Sequence, residues 1–114
     1  MVNDMPINEI EELKNQFVAQ LTPISIYLFG SFATGTHTAD SDLDFYIVVE
    51  DGVDDLADLT TQAYRAIRRI KKRPVDIIVG TKSRFEKRKK FPSVENEVYE
   101  KVVLLYGPGN LAVD

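Results

Sequence analysis

Two apolar runs, joined by a loop that begins with Gly-Ser and ends with Asp-Leu-Asp, place the strongest constraint on how this chain folds. The runs cover residues 24–29 and 45–49, with Gly30-Ser31 and Asp42-Leu43-Asp44 between them. Short runs rich in β-branched and aromatic residues are typical of strands. Ten residues separate the two motifs, so we predict a functional loop between the strands and not a tight hairpin.

The residues at these strand ends favour nucleotide chemistry. Glycine lets the backbone approach a ligand, and a hydroxyl beside backbone N–H groups binds phosphate oxygens, so Gly30 and Ser31 are candidate nucleotide-binding residues. Side chains two apart on a strand share a face, so Asp42 and Asp44 are predicted to converge. Converged carboxylates repel each other unless a divalent cation binds between them. The alternative is a solvated strand start, with Asp42 in an Asx turn and Gly30 in a simple tight turn.

A third carboxylate lies in another apolar run. Asp76 is part of the run 75–79, which is bounded by Pro and Gly and is predicted to be a buried strand. A lone carboxylate there is unfavourable unless it is ion-paired, hydrogen-bonded or bound to a metal. On a strand beside Asp44 it would complete a metal-binding triad. The alternative is a salt bridge to Arg73 or to a basic helix.

Composition narrows the possible function classes. The chain has 114 residues, of which 44% are apolar, with no Cys and a single His. This length predicts one domain, residues 1–114, with a substantial hydrophobic core. The lack of Cys excludes disulfides and thiolate metal sites, and His37 is expected on a loop surface. Because there is no leader-like segment and no apolar stretch of membrane-spanning length, we expect a cytoplasmic protein with no membrane partner.

Charge is unevenly distributed along the chain. The net charge is −4, yet twelve of the fourteen Lys and Arg residues lie within 65–90, against two acidic residues there. This segregation favours an acidic partner or a polyanion near the basic segment; the alternative is that these side chains only solvate helix faces. No RRM or KH signature accompanies the basic segment, and the overall charge is negative, so direct nucleic-acid binding is not expected.

Helical periodicity completes the predicted fold. A helix over 8–21 is expected to begin with Asn8 as N-cap and Glu11 as its capping-box partner. A second long helix is predicted over 56–72. The remaining predicted elements are short helices near 30–35, 83–90 and 94–102 and an edge strand at 103–106. This order predicts an α/β (α+β) fold: a short mixed sheet with helices packed on it and a right-handed crossover between the second and third strands.

The pattern Gly30-Ser31-x10-Asp42-x-Asp44, followed by Asp76 on a later strand, resembles the polymerase-β-type nucleotidyltransferase superfamily over about residues 24–79. The small size resembles its minimal nucleotidyltransferase (MNT) branch, which implies the polymerase-β-type nucleotidyltransferase fold. The resemblance implies ATP as substrate, held at its β- and γ-phosphates by Gly30 and Ser31. It also implies two Mg²⁺ ions held by Asp42, Asp44 and Asp76, with Asp76 helping to deprotonate the acceptor, as a general base or through the metal.

The same resemblance implies a protein partner. Members of this branch often act as antitoxins against a HEPN-domain ribonuclease toxin, so the implied reaction is transfer of AMP to a protein hydroxyl, a Tyr of such a toxin. Members often carry Arg before the second loop glycine, where this chain has Thr34, and this departure weakens the expected grip on the triphosphate. One alternative is therefore an antitoxin that acts by occlusion. Another is a small-molecule nucleotidyltransferase, although such enzymes usually need a further substrate-binding domain.

Overall fold

In a computed structural model, which describes residues 5–88 and 103–108, a four-stranded mixed sheet packs against helices. The elements in chain order are α1 (Ile7–Leu21), β1 (Ser25–Phe29), α2 (Ser31–Thr34), β2 (Leu43–Val49), α3 (Leu56–Ile67), β3 (Val75–Thr81), α4 (Lys82–Arg88) and β4 (Val103–Tyr106). The predicted α/β class is confirmed, and each predicted strand lies close to its expected position. The predicted helix at 94–102 and the last two residues of 83–90 lie outside the described residues.

The strand order β3-β2-β1-β4 determines which strand ends meet. β1 is antiparallel to both β2 and β4, whereas β2 and β3 are parallel and joined through α3, as the predicted crossover requires. Because β1 runs against its neighbour, the C-terminal end of β1 lies beside the N-terminal ends of β2 and β3. Residues that are far apart in the sequence therefore meet at one end of the sheet.

The main core lies between one face of the sheet and helices α1 and α3. The apolar stripe predicted for α1 is buried, and its Phe17 ring meets Phe45 of β2 edge to face, 5.1 Å between ring centroids. From the sheet, this face buries Ile26, Leu28, Leu43, Phe45, Ile47, Val49, Val75, Ile77 and Val79. The tight packing of this face holds the strands in a fixed register.

The opposite face of the sheet is covered in part by α4. Phe85 of α4 packs against Tyr27 and Tyr46, each at 5.2 Å between ring centroids. Both tyrosines are buried in this contact. This second, smaller cluster also includes Val48, with Ile24, Phe29 and Ile78 packed against it.

Two side chains cap the N terminus of α4. The Ser83 N–H donates to the Asp51 carboxylate at 2.9 Å, and the Arg84 N–H donates to the Thr81 hydroxyl at 3.2 Å. The Ser83 hydroxyl also donates to Asp51. These Ser83 hydrogen bonds, first from the hydroxyl and then from the backbone, lower the pKa of the Asp51 carboxyl.

The first helix does not begin as the sequence predicted. Pro6 occupies the N-cap position of α1, its carbonyl accepts from the Ile10 N–H at 3.0 Å, and no side chain caps the helix. Asn8 therefore lies inside the first turn, and the predicted capping box with Glu11 is wrong. The proline fixes the backbone direction in which the chain enters α1. Glu9, in the first turn, is buried.

The crossover helix is shorter than predicted, and residues 68–74 connect it to β3. α3 ends at Ile67 and not near residue 72, because the N–H groups of Arg68 and Ile70 turn to carbonyls three residues back. Tyr64 of this helix accepts a hydrogen bond from the backbone N–H of Ile77 in β3, at 2.9 Å.

Over the described residues, no helix combines the length and the apolar composition needed to cross a membrane.

Candidate functional site

Three strands bring the predicted site residues to one end of the sheet. Phe29, the last residue of β1, pairs with Asp44 of β2, so the Gly30-Ser31 turn lies beside this carboxylate. Asp44 is in turn the register partner of Asp76 in β3. Asp44 and Asp76 thus lie on neighbouring strands, and Gly30 directly follows the third, in spite of the distance between them in the sequence.

Asp44 and Asp76 project from the same face of the sheet. Register partners on parallel strands point to the same side, and adjacent strands are about 4.7–4.9 Å apart. Leu43 and Val75, one residue earlier, are buried in the helix-covered face, so the two carboxylates point away from it. Their closeness on adjacent strands creates mutual repulsion that a bound cation would relieve.

The expected burial of Asp76 is wrong. Its side chain is exposed, because β3 is an edge of the described sheet and its first half alternates between buried and exposed positions. The alternative salt bridge to Arg73 is also wrong, since Arg73 pairs with Glu9. No hydrogen bond or ion pair joins the Asp76 side chain to another residue in the described ranges. The register with Asp44, and not a cost of burial, is what marks this residue.

The Gly30 backbone lies close to a carboxylate of the site. Its φ of 78° and ψ of −156° lie in a region that essentially only glycine adopts. A Cβ at this position would overlap the Asp44 carboxylate, so the carboxylate rests directly against the Gly30 backbone. Ser31 then begins α2, which lies within the short helix predicted near 30–35, directly after the glycine whose backbone lies against Asp44.

Asp42 lies one residue before β2 and is half-buried. The strand alternation that orients Asp44 therefore does not extend to Asp42. The backbone between them is fixed, because the Leu43 N–H donates to the Pro74 carbonyl at 3.1 Å. This bond connects the Asp-Leu-Asp motif to the segment that leads into Asp76.

The chemistry of these carboxylates fits a magnesium site, although a complete ligand cluster is not assembled. Mg²⁺ prefers carboxylate oxygens, commonly one or two together with substrate phosphates. In residues 5–88 and 103–108, no group of three His, Asp or Glu side chains is arranged to hold a metal ion. Asp42, Asp44 and Asp76 are thus placed at one sheet end with the correct donor type. Their coordination of a metal stays a prediction.

Thr34 stands where members of the resembled family often carry Arg. Its hydroxyl lies 2.9 Å from the Thr36 hydroxyl and 3.4 Å from the carbonyls of Gly30 and Ser31, so it satisfies groups of its own short helix. The side chain offers no positive charge to a phosphate.

A partly buried ion pair was missed by the sequence analysis. Arg73 donates to Glu9 through two nitrogens, and its guanidinium lies 5.3 Å from the centre of the Phe32 ring. His37, expected on the surface, is buried and stacks on Phe32 with 4.2 Å between ring centroids. Sixty-four residues separate the two members of the ion pair, and no local pattern indicates such a contact.

Comparison with known proteins identifies relatives of this arrangement. The family model of the nucleotidyltransferase domain matches residues 10–105. A candidate nucleotidyltransferase from Sulfolobus solfataricus is similar in structure, with a TM-score of 0.58 and 18% identity over 91% of this chain and 82% of that one. A search of curated proteins found no match.

Two toxin–antitoxin structures are also similar in fold. One, solved with AMP-PNP, has a TM-score of 0.55 and 23% identity over 94% of this chain and 81% of its own. The other is a point mutant of the MntA–HpeT toxin–antitoxin, with a TM-score of 0.52 and 21% identity over 96% of this chain and 81% of its own. At these identities the likeness shows the fold.

Proposed function

Because the chain belongs to the nucleotidyltransferase domain family, we propose that it uses ATP to transfer AMP to a hydroxyl of a protein partner. The observation that carries this proposal is the meeting of Gly30, Asp44 and Asp76 at one end of the sheet. A close backbone approach beside paired carboxylates suits a nucleotide that carries divalent cations.

The residues of the site have distinct proposed roles. Gly30 and Ser31 hold the β- and γ-phosphates through backbone N–H groups and the hydroxyl. Asp42, Asp44 and Asp76 hold two Mg²⁺ ions, which when bound neutralise charge developing on the α-phosphoryl group. Asp76, whose side chain is exposed at the edge strand, also faces the incoming acceptor and accepts the proton of its hydroxyl.

The proposed step is an in-line displacement at the α-phosphorus. The acceptor oxygen forms a bond to the α-phosphorus. At the same time, the bond between the α-phosphorus and the oxygen that bridges to the β-phosphate breaks. Pyrophosphate leaves with the electron pair of the broken bond, and the hydroxyl proton passes to Asp76. The products are an adenylylated protein and pyrophosphate, with no oxidant or reductant required.

We propose that the acceptor is a Tyr of a cytoplasmic HEPN-domain toxin, which the chain neutralises as an antitoxin. The exposure of Asp76 supports a macromolecular acceptor. A large partner could cover this open site and exclude water from it, whereas a small substrate would leave the site solvated. Two proteins of similar fold were solved as toxin–antitoxin structures, one of them with AMP-PNP. This shared fold supports the same type of partner.

One observation favours a second candidate, an antitoxin that acts by occlusion alone. Thr34 provides no cation at a position where the resembled family often has one, and its hydroxyl is engaged with its own helix. Weak binding of the triphosphate would leave partner binding as the main source of neutralisation. The paired carboxylates favour catalysis, because occlusion gives no reason for placing Asp44 and Asp76 in register.

The decisive experiment is mass spectrometry of the toxin partner after incubation with this chain, ATP and Mg²⁺. We expect additions of whole AMP units on a Tyr, with loss of the toxin's ribonuclease activity. EDTA should prevent both, because the carboxylates need a cation to bind the triphosphate. A toxin that stays unmodified, yet is inactive in a stable complex with this chain, would favour occlusion.

Gly30→Ala is expected to reduce AMP transfer by about 10- to 100-fold, since small displacements of catalytic groups have effects of this size. The added Cβ would overlap the Asp44 carboxylate and displace it. Gly35→Ala is the matched control: its φ of 79° also disfavours Ala, but a Cβ there meets nothing within 4 Å. Transfer rates measured for both variants below their melting temperatures test this expectation. Equal losses in the two would indicate a backbone effect unrelated to Asp44.

A further inference from the structure

Arg73 forms a shielded, two-point ion pair with the first turn of α1. Its Nε donates to Glu9 Oε2 at 3.1 Å and its Nη2 donates to Glu9 Oε1 at 2.9 Å. The side chains of Glu9 and Arg73 are only 7% and 27% exposed. Bidentate pairs of this kind fix the guanidinium plane, and shielding from water preserves their strength in salt.

The oriented guanidinium contacts the residue that follows Ser31. Arg73 Cζ lies 5.3 Å from the centre of the Phe32 ring, and Phe32 is 1% exposed. The His37 ring stacks on Phe32 with an interplanar angle of 14°. These contacts connect the Arg73 guanidinium, through Phe32, to the helix that begins at Ser31.

The backbone beside Arg73 reaches the other site residues. The Pro74 carbonyl accepts from the N–H of Leu43, the residue between Asp42 and Asp44. Asp76 follows two positions later, as the second residue of β3. One two-residue segment, 73–74, therefore touches the helix after the glycine turn, holds the start of β2 and leads into the third carboxylate.

We propose that Arg73 is a positioning residue of the candidate nucleotide site. By pairing with Glu9 and contacting Phe32, it sets the Ser31 turn relative to the carboxylates of β2 and β3. The role rests on the proposed function, since Ser31 is assigned to the β- and γ-phosphates of ATP. Arg73 itself touches neither nucleotide nor acceptor and acts through Phe32 and the backbone of Pro74.

Three substitutions separate positioning from general stability. Glu9→Gln keeps the size of the side chain but removes its charge. Arg73→Lys keeps the charge but loses the planar two-point contact. Glu11→Gln is the matched control: it makes the same change on the same helix, in an ion pair with Lys14 of 2.9 Å whose glutamate is 53% exposed.

Steady-state kinetics, measured well below each melting temperature, provide the first readout. In Glu9→Gln and Arg73→Lys we expect the KM for ATP to rise about tenfold while kcat falls less than about threefold, since the turn contributes binding common to ground and transition states. Glu11→Gln should leave both constants within about twofold of the parent. A lower melting temperature with unchanged KM in the first two variants would contradict the proposal.

Amide NMR spectra of the nucleotide-free protein provide a readout that needs no activity. Resonances of Ser31 to Gly35 and of Leu43 should shift in Glu9→Gln and Arg73→Lys but not in Glu11→Gln. Unchanged resonances, or equal shifts in the control, would overturn the proposal. If Glu9→Gln does not fold, the spectra and kinetics of Arg73→Lys alone test the proposal. If the parent protein neither binds nor transfers nucleotide, the proposed function fails, and the spectra still decide whether Arg73 positions the turn.

Discussion

Replacing Asp42 and Asp44 together by Asn is expected to abolish AMP transfer while the domain stays folded. The loss should be at least about 10³-fold, because bound metal ions contribute several kcal/mol and each 1.36 kcal/mol is tenfold in rate. Neither residue belongs to the buried core, and removing like charges beside Asp76 relieves repulsion. The melting temperature of the metal-free protein should therefore be unchanged or higher.

The control for this variant carries the same change of charge elsewhere. Asp40 and Asp54 are exposed, and neither lies in the strands that form the site. Asp40→Asn together with Asp54→Asn should leave transfer near the parent rate. Radiolabelled ATP and thermal unfolding measured on both double variants test the expectation. Parent-rate transfer by the Asp42 and Asp44 double variant would refute the assignment of the metal site.

Asp76→Asn is expected to reduce turnover by about 10²- to 10⁴-fold, the usual contribution of a positioned acid–base group. ATP binding should largely persist, since Asp42, Asp44 and the Gly30-Ser31 turn remain. The side chain is exposed and makes no hydrogen bond or ion pair within the described ranges, so the melting temperature should change little.

Binding and turnover must be measured separately for this variant. Isothermal titration with ATP and Mg²⁺ gives the affinity, and single-turnover transfer to the partner gives the chemical rate. A variant that unfolds at lower temperature but transfers AMP at the parent rate would make Asp76 a structural residue. Complete loss of ATP binding in this variant would indicate that Asp76 acts mainly in binding ATP and not in deprotonating the acceptor hydroxyl.

The strands of the sheet and the site motif could be predicted from local sequence patterns. Apolar runs bounded by Gly, Pro and Asp indicated β1, β2 and β3, since strand formation here follows from short-range composition. The spacing of Gly30-Ser31 and Asp42-x-Asp44 then led to the family that the domain model matches. The stripe of Ile10, Leu13, Phe17 and Leu21 indicated the face of α1 that is buried.

What the sequence could not reveal depends on contacts between distant segments. Asp76 was expected to be buried because its neighbours are apolar, yet an edge strand exposes alternate positions. His37 was expected on a loop surface, yet stacking on Phe32 buries it. The Glu9–Arg73 pair depends on the start of α1 at Pro6. The sequence instead predicted a helix start at Asn8, and this start gave no indication of the pair.

The hydrogen bond from Ile77 to Tyr64 has a consequence for behaviour at high concentration. β3 forms one edge of the described sheet, and an open edge is a template on which strands of other molecules can add. Outward N–H groups recur at every second residue of this strand, and the N–H of Ile77 already donates to the Tyr64 hydroxyl. A foreign strand would find this ladder interrupted and an aromatic ring in its path. The crossover helix that makes the parallel pair possible thus also makes strand addition at this edge less favourable.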